Sequence, residues 1–230
     1  MQLKRKMAAL LLAVIGMVFM LVSFWWEDLY MWVSIGIIIV VSLLFLIRFE
    51  NRRIEPRELV LLAVLASIAA VVRIPFASIP SVQPTTFVIM MSGLVFGAES
   101  GLIIGSVAAL ASNMILGQGP WTPWQMLAWG LVGWSAGLLQ RTRFLNNPWG
   151  KIIFGALWGF LFGWIMNLWG LIAFTQQGSA ISLETLILYF GASALFDSFH
   201  ALSNVIFLLI FGNIWVKNLS RFKRKYGLLE

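Results

Sequence analysis

The chain has 230 residues, of which 60 % are hydrophobic and only 11 % charged, with a formal net charge of +7 and a mean hydropathy of +0.91. Water-soluble domains carry about 25 % charged residues, so the composition excludes a soluble globular protein and points to one folded domain in a lipid bilayer. The lack of cysteine excludes disulfides, thiolate catalysis and thiolate-bound zinc or iron–sulfur clusters.

Apolar segments occupy residues 7–26, 30–47, 58–72, 82–97, 101–116, 124–139, 152–174 and 183–216, and each predicts a helix. The first follows Lys4, Arg5 and Lys6 in the manner of a signal peptide. It is too long for a signal h-region and ends in bulky Phe24, Trp25 and Trp26 instead of a small-residue cleavage site, so a retained helix is expected. Several middle segments are short for a hydrocarbon core of about 30 Å, which predicts broken, buried or tilted helices in a compact bundle. The last is too long for one straight span. It reads as a short helix leading into a span, or as one long helix bent near Gly191.

Eight spans place both termini on the same side. All but Arg73 of the 16 Lys and Arg residues then fall on that side, and the positive-inside rule makes it cytoplasmic. The basic charge is therefore topological, and without a base-reading module no nucleic-acid partner is expected. A seam at residues 48–57 separates a transmembrane hairpin (1–50) of aliphatic and aromatic residues from a six-helix domain (51–218). That domain holds nearly all the Gly, Pro, Asn and Gln, and a basic cytoplasmic tail (219–230) follows. Polar groups inside a membrane are costly and mark function, so the working part is expected at about residues 54–218.

No G-x-x-x-x-G-K-[ST], H-E-x-x-H or G-x-S-x-G motif occurs, and no carboxylate pair is suited to acid–base work. Within the spans the ionisable groups reduce to Asp197 and His200, so an enzyme is not expected. A lone His without a second ligand does not make a metal site. Asp197, His200 and Asn204 share one helix face and read as a buried hydrogen-bonded cluster tying the last helix to its neighbours.

Small residues recur at helical spacing. Gly155, Gly159 and Gly163, like Gly133 and Gly137, read as close helix packing. Ala66 and Ala70 suit either packing or the docking of a partner helix. Between the third and fourth spans, Pro75, Pro80 and Pro84 predict an extended, ordered loop running from Arg73 to Gln83. Between the fifth and sixth, Pro123 falls in the first turn of the next helix, and Gln125, Trp129 and Gly133 share a face. Trp25, Trp26, Trp149 and Trp215 read as an interfacial belt. Trp121, Trp124 and Trp129 sit beside Gln118, Gln125 and the lone outer cation, and read as a pocket. With Asn113, Trp164 and Asn167 inside spans, the candidate ligand residues are Arg73, Gln83, Asn113, Gln118, Trp121, Trp124, Gln125, Trp129, Trp164 and Asn167.

The stretch from Ser81-Val82-Gln83-Pro84-Thr85-Thr86 through Gly97-Ala98-Glu99-Ser100-Gly101 to Ser112-Asn113 resembles the substrate-binding S-components of energy-coupling factor (ECF) transporters. So do Gly117-Gln118-Gly119-Pro120-Trp121-Thr122-Pro123-Trp124-Gln125-Met126 and the following Ala128–Gly133. The likeness covers about residues 58–216, and the Gly117–Met126 run looks most like the cobalamin-specific S-components. The resemblance implies an all-α membrane protein, a compact six-helix bundle, here preceded by an extra hairpin that the family core lacks. It implies capture of a vitamin, cobalamin above others, at the outer face of the cell membrane by the loops around 73–83 and 117–125. It further implies docking through Ala66 and Ala70 on a membrane T-component driven by two ATPase subunits, with no resident cofactor. An S-component for another vitamin or precursor stays open here. So does a structural or assembly protein whose glycine stripes simply hold partners.

Overall fold

Proline sets where four of the helices begin. Pro56, Pro84 and Pro148 are first residues and Pro123 is a second residue, positions where the fixed φ favours the helix and the missing N–H goes unmissed. The computed structural model describes residues 55–175 and 182–227, together with Gly36. The expected hairpin at 1–50 lies outside the described residues. Among the described residues the order is α1 (Pro56–Val71), α2 (Pro84–Phe96), α3 (Ala98–Leu116), α4 (Thr122–Leu138), the short α5 (Arg143–Asn146), α6 (Pro148–Thr175) and α7 (Leu183–Tyr226), with no strand. The all-α membrane bundle expected from the apolar runs is what forms.

The 13-residue α2 rises only about 20 Å, well short of a hydrocarbon core of about 30 Å. Every α2 residue but Leu94 is buried, and α1, α3, α4 and α7 all pack on it. It is the bundle's central post. Around it α3, α6 and α7 are long and apolar enough to cross a membrane. The outer surface is apolar too, through Val60, Val64 and Ile68 of α1, Val107 and Leu110 of α3, Leu157 and Leu161 of α6 and Phe199, Leu202 and Leu209 of α7. Such a coat is costly in water and costs nothing against lipid.

The glycine stripes are bundle packing. A Cβ on Gly133 of α4 would overlap the carbonyl of Gly101 on α3, and one on Gly105 would overlap the carbonyl of Trp129. The two helices therefore touch backbone to backbone. Gly159 of α6 meets the backbone of Ala201 on α7, and Gly155 and Gly163 make room for the side chains of Leu208 and Asp197.

The last apolar run is one uninterrupted helix of 44 residues, about 66 Å long. It continues through most of the basic tail and stops at Gly227, whose left-handed conformation (φ 57°) closes it. Near that end the Lys223 ammonium donates to the Val95 carbonyl at 3.0 Å, fixing the end of α7 beside the end of α2.

The segment after α1 differs from the expected extended loop, because its prolines start turns. The N–H groups of Phe76, Ala77, Ile79 and Val82 each donate to the carbonyl three residues back. Pro75 and Pro80 each hold the second position of a four-residue turn, and Ser81 takes the third position of its turn at φ 59°, the geometry of a type II turn. The chain from Arg73 to Gln83 is thus a compact cap on the bundle.

Gly133→Ala is expected to lower the thermal unfolding midpoint in detergent by several degrees, because overpacking costs about 1–3 kcal/mol. Gly191→Ala, where an added Cβ meets nothing within 4 Å, is expected to leave the midpoint unchanged or slightly raised. Equal midpoints for the two variants would refute the backbone contact.

Candidate functional site

Arg73 stands just past the end of α1 and links it to the end of α3 and to the middle of α4. Its Nη1 donates to Ser112 Oγ at 2.8 Å and to Asn113 Oδ1 at 2.6 Å, both near the end of α3. Its guanidinium carbon lies 4.9 Å from the ring centroid of Trp129 in α4, a cation–π geometry. Asn113 Nδ2 donates in turn to Thr122 Oγ1 at 2.9 Å and to Gln125 Oε1 at 2.7 Å, and the Thr122 hydroxyl donates to Gln118 Oε1 at 2.9 Å. Burial lowers the Arg73 pKa from 12.5 to about 10, by desolvation of the cation. The side chain therefore stays charged at neutral pH.

A second chain of bonds leads inward from the same tryptophan. The Trp129 indole N–H donates to Thr86 Oγ1 at 3.0 Å, and Thr86 Oγ1 lies 2.8 Å from His200 Nε2. Indole can only donate, so Thr86 Oγ1 accepts from Trp129, and the same oxygen also pairs with His200 Nε2. Phe162 packs against both ends of this chain, 4.8 Å from Trp129 and 5.1 Å from His200 between ring centroids.

His200 forms part of a cavity of about 290 Å³ bounded by the Ser81–Gln83 turn, α6 and α7. Phe162, Met166 and Phe196 give it apolar walls, and Ser81, Gln83, Asn167, Ser193, Asp197 and His200 give it polar ones. The Gln83 backbone N–H donates to Ser203 Oγ at 3.2 Å, while its side-chain Oε1 is buried without a partner. Asn167 Nδ2 donates to Ser193 Oγ at 2.6 Å, and Ser193 stands 3.0 Å from Asp197 Oδ2.

Of the residues singled out in the sequence, Arg73, Asn113, Gln125 and Trp129 come together in one network beneath the cap. Gln118 joins it through Thr122 from an exposed position. Gln83 and Asn167 lie on the cavity. Trp121 stands edge-on to Trp169 at 5.9 Å, and Trp124 is fully buried with Nε1 unpartnered. Trp164 is about half exposed, edge-on to Phe190, and does not line the cavity. Ala66 and Ala70, the expected docking pair, are 2 % and 4 % exposed and face inward. The outward face of α1 is Val60, Ala63, Val64, Ser67, Ile68 and Val71.

Sequence reasoning passed over Ser81, Phe162, Met166, Ser193 and Phe196, and gave Asp197 and His200 only a tying role. That role is real, since His200 bonds α2 through Thr86 and Asn204 Nδ2 donates to the Gly155 carbonyl at 2.9 Å. The signal for more was present: a carboxylate and an imidazole within one spanning helix.

Arg73→Gln is expected to lower the unfolding midpoint, since losing the guanidinium strands Asn113 Oδ1 at a cost of about 1–3 kcal/mol. It should also shift the tryptophan emission as Trp129 loses its cation. Exposed Arg143→Gln is the control, and matching behaviour of the two variants would count against the network.

No solved structure matches the chain. The family model of the ECF-type riboflavin transporter S component matches residues 53–221, which takes in α1 to α6 and α7 as far as Arg221. The chain belongs to this family of S components, membrane subunits that bind the substrate of a transporter and work with a T-component and ATPases, without being enzymes themselves.

Proposed function

We propose that the chain captures riboflavin at the outer face of the cell membrane, in the cavity between the Ser81–Gln83 turn, α6 and α7. It then delivers the ligand inward by docking on a T-component driven by two ATPase subunits. The observation that carries this reading is the cavity itself. Pockets for compact organic ligands run from about 300 to 1,000 Å³, and this one, at about 290 Å³, stands at the small end. A flat tricyclic ring with a polyol chain suits that size and its division into Phe162, Met166 and Phe196 on one side and hydroxyl, amide and carboxylate groups on the other. The family's own description names riboflavin as well.

Cobalamin, the substrate suggested by the Gly117–Met126 run, is several times larger and would require the cavity to open widely. The residues behind that likeness serve the scaffold. Thr122 accepts from Asn113 and from the Gly119 N–H at 3.3 Å, and Trp124 is sealed in the core. None of them lines the cavity. Arg73, Asn113, Gln125 and Trp129 would instead hold the cap in register over the ligand, and Gln83 would reach it directly.

Titration of the purified full-length chain with riboflavin, followed by quenching of flavin fluorescence, is expected to show tight binding that cyanocobalamin does not displace. Binding of cyanocobalamin without riboflavin would overturn the reading in favour of cobalamin. Silence toward both from folded protein would favour an assembly role.

Both termini are placed in the cytoplasm in this reading, with the Arg73 cap outside. The chain has no native cysteine, so single cysteines report sidedness cleanly. Ser78→Cys is expected to react with an impermeant maleimide on intact cells, and Lys225→Cys only after permeabilisation. The reverse pattern would invert the topology.

A further inference from the structure

Asp197 is 4 % exposed in a spanning helix and lines the cavity. Ionised carboxylates in such surroundings need strong hydrogen-bond donors. The protein supplies a directed set on one side. Asn167 Nδ2 donates to Ser193 Oγ, and the Ser193 hydroxyl faces Asp197 Oδ2 at 3.0 Å. Ser193 has a single hydrogen, for which the Phe190 carbonyl at 3.0 Å also competes. The other oxygen, Oδ1, occupies the space that a side chain at Gly163 would fill, and Gly163 is itself a cavity residue. The absent side chain leaves that oxygen on the cavity wall. His200 and Gln83 line the same cavity. The carboxylate thus gives this corner of the cavity a strong hydrogen-bond acceptor, while Phe162, Met166 and Phe196 give it apolar walls.

We infer that Asp197, held by Ser193 and Asn167, is the specificity-determining residue that accepts hydrogen bonds from the hydroxyl groups of the ligand's polyol chain. The inference rests on the riboflavin reading. It assigns the chain's end of the ligand to the α7 corner and the ring system to the aromatic walls. Recognition by hydroxyl count follows, because an analogue without hydroxyls leaves the carboxylate without those donors and gains nothing from it.

The test compares riboflavin with lumiflavin, which keeps the ring system and lacks the polyol chain, by fluorescence quenching on the full-length chain. Wild type is expected to prefer riboflavin. Asp197→Asn is expected to weaken riboflavin about tenfold, and Asp197→Ala more, with lumiflavin affinity held within about twofold. Ser193→Ala, a milder change, is expected to shift the preference in the same direction. Parallel losses for both ligands, or no loss for either, would overturn the role of Asp197 while leaving the riboflavin reading intact. A wild-type chain that binds neither flavin would overturn both.

Discussion

The contact on which the rest of the structure depends is the approach of α3 and α4 without side chains between them. In lipid, helices gain nothing by hiding apolar surface from one another, so association rests on close packing and on internal hydrogen bonds. Gly101 and Gly105 against Gly133 and the Trp129 carbonyl permit that approach. Because the two helices lie so close, Trp129 projects past α3 toward α2, where its N–H meets Thr86. The end of α3 then stands beside the start of α4, so that Asn113 reaches both Thr122 and Gln125. A bulkier residue at Gly133 would separate these partners all at once.

Two chains of polar groups run through the bundle. Arg73, Asn113, Thr122 and Gln118 form one chain, and Trp129, Thr86 and His200 form another. Trp129 belongs to both, meeting Arg73 with its ring face and Thr86 with its N–H. Unsatisfied polar atoms are expensive away from water, and the few that remain are informative by position. Among the described residues, Trp124 Nε1 and Asn204 Oδ1 belong to residues sealed in the packing, whereas Gln83, the third, lines the cavity.

Much of the architecture was legible in the sequence because bilayer chemistry writes itself in long runs. The apolar helices, the helix start at Pro123 and the packing role of the glycines follow from local pattern alone. Local pattern could not tell which helix each glycine meets, nor that a 13-residue helix would be the centre of the bundle and so need no full span. The cap after α1 was read as extended because proline was weighed as a helix breaker. Its prolines act instead as turn starters, an outcome that hinges on Ser81 accepting a positive φ. In the site, Arg73, Asn113, Gln125 and Trp129 stood out as polar or cationic groups near an apolar boundary. Asp197 and His200 were visible too. Their place on a cavity depends on how the turn at Ser81 and Gln83 folds back toward α6 and α7, roughly 80 to 120 residues distant in sequence. The Gly117–Met126 run pointed to cobalamin, whereas the matching family is described by riboflavin. Its residues hold a loop in shape, and a shared scaffold says little about the molecule held elsewhere.

The single 44-residue helix α7 joins the two faces of the protein. Asp197 and His200 stand on its first half and Lys223 holds its far end, roughly 40 Å away along the axis. No proline interrupts it, and between the cavity and the inner end its one glycine is Gly212, which is buried. Such a rod is a poor hinge and a good lever. In the proposed reading, a small change of angle at the cavity would reappear at the basic end enlarged by the length of the arm, at the expense of the Lys223–Val95 bond that holds that end.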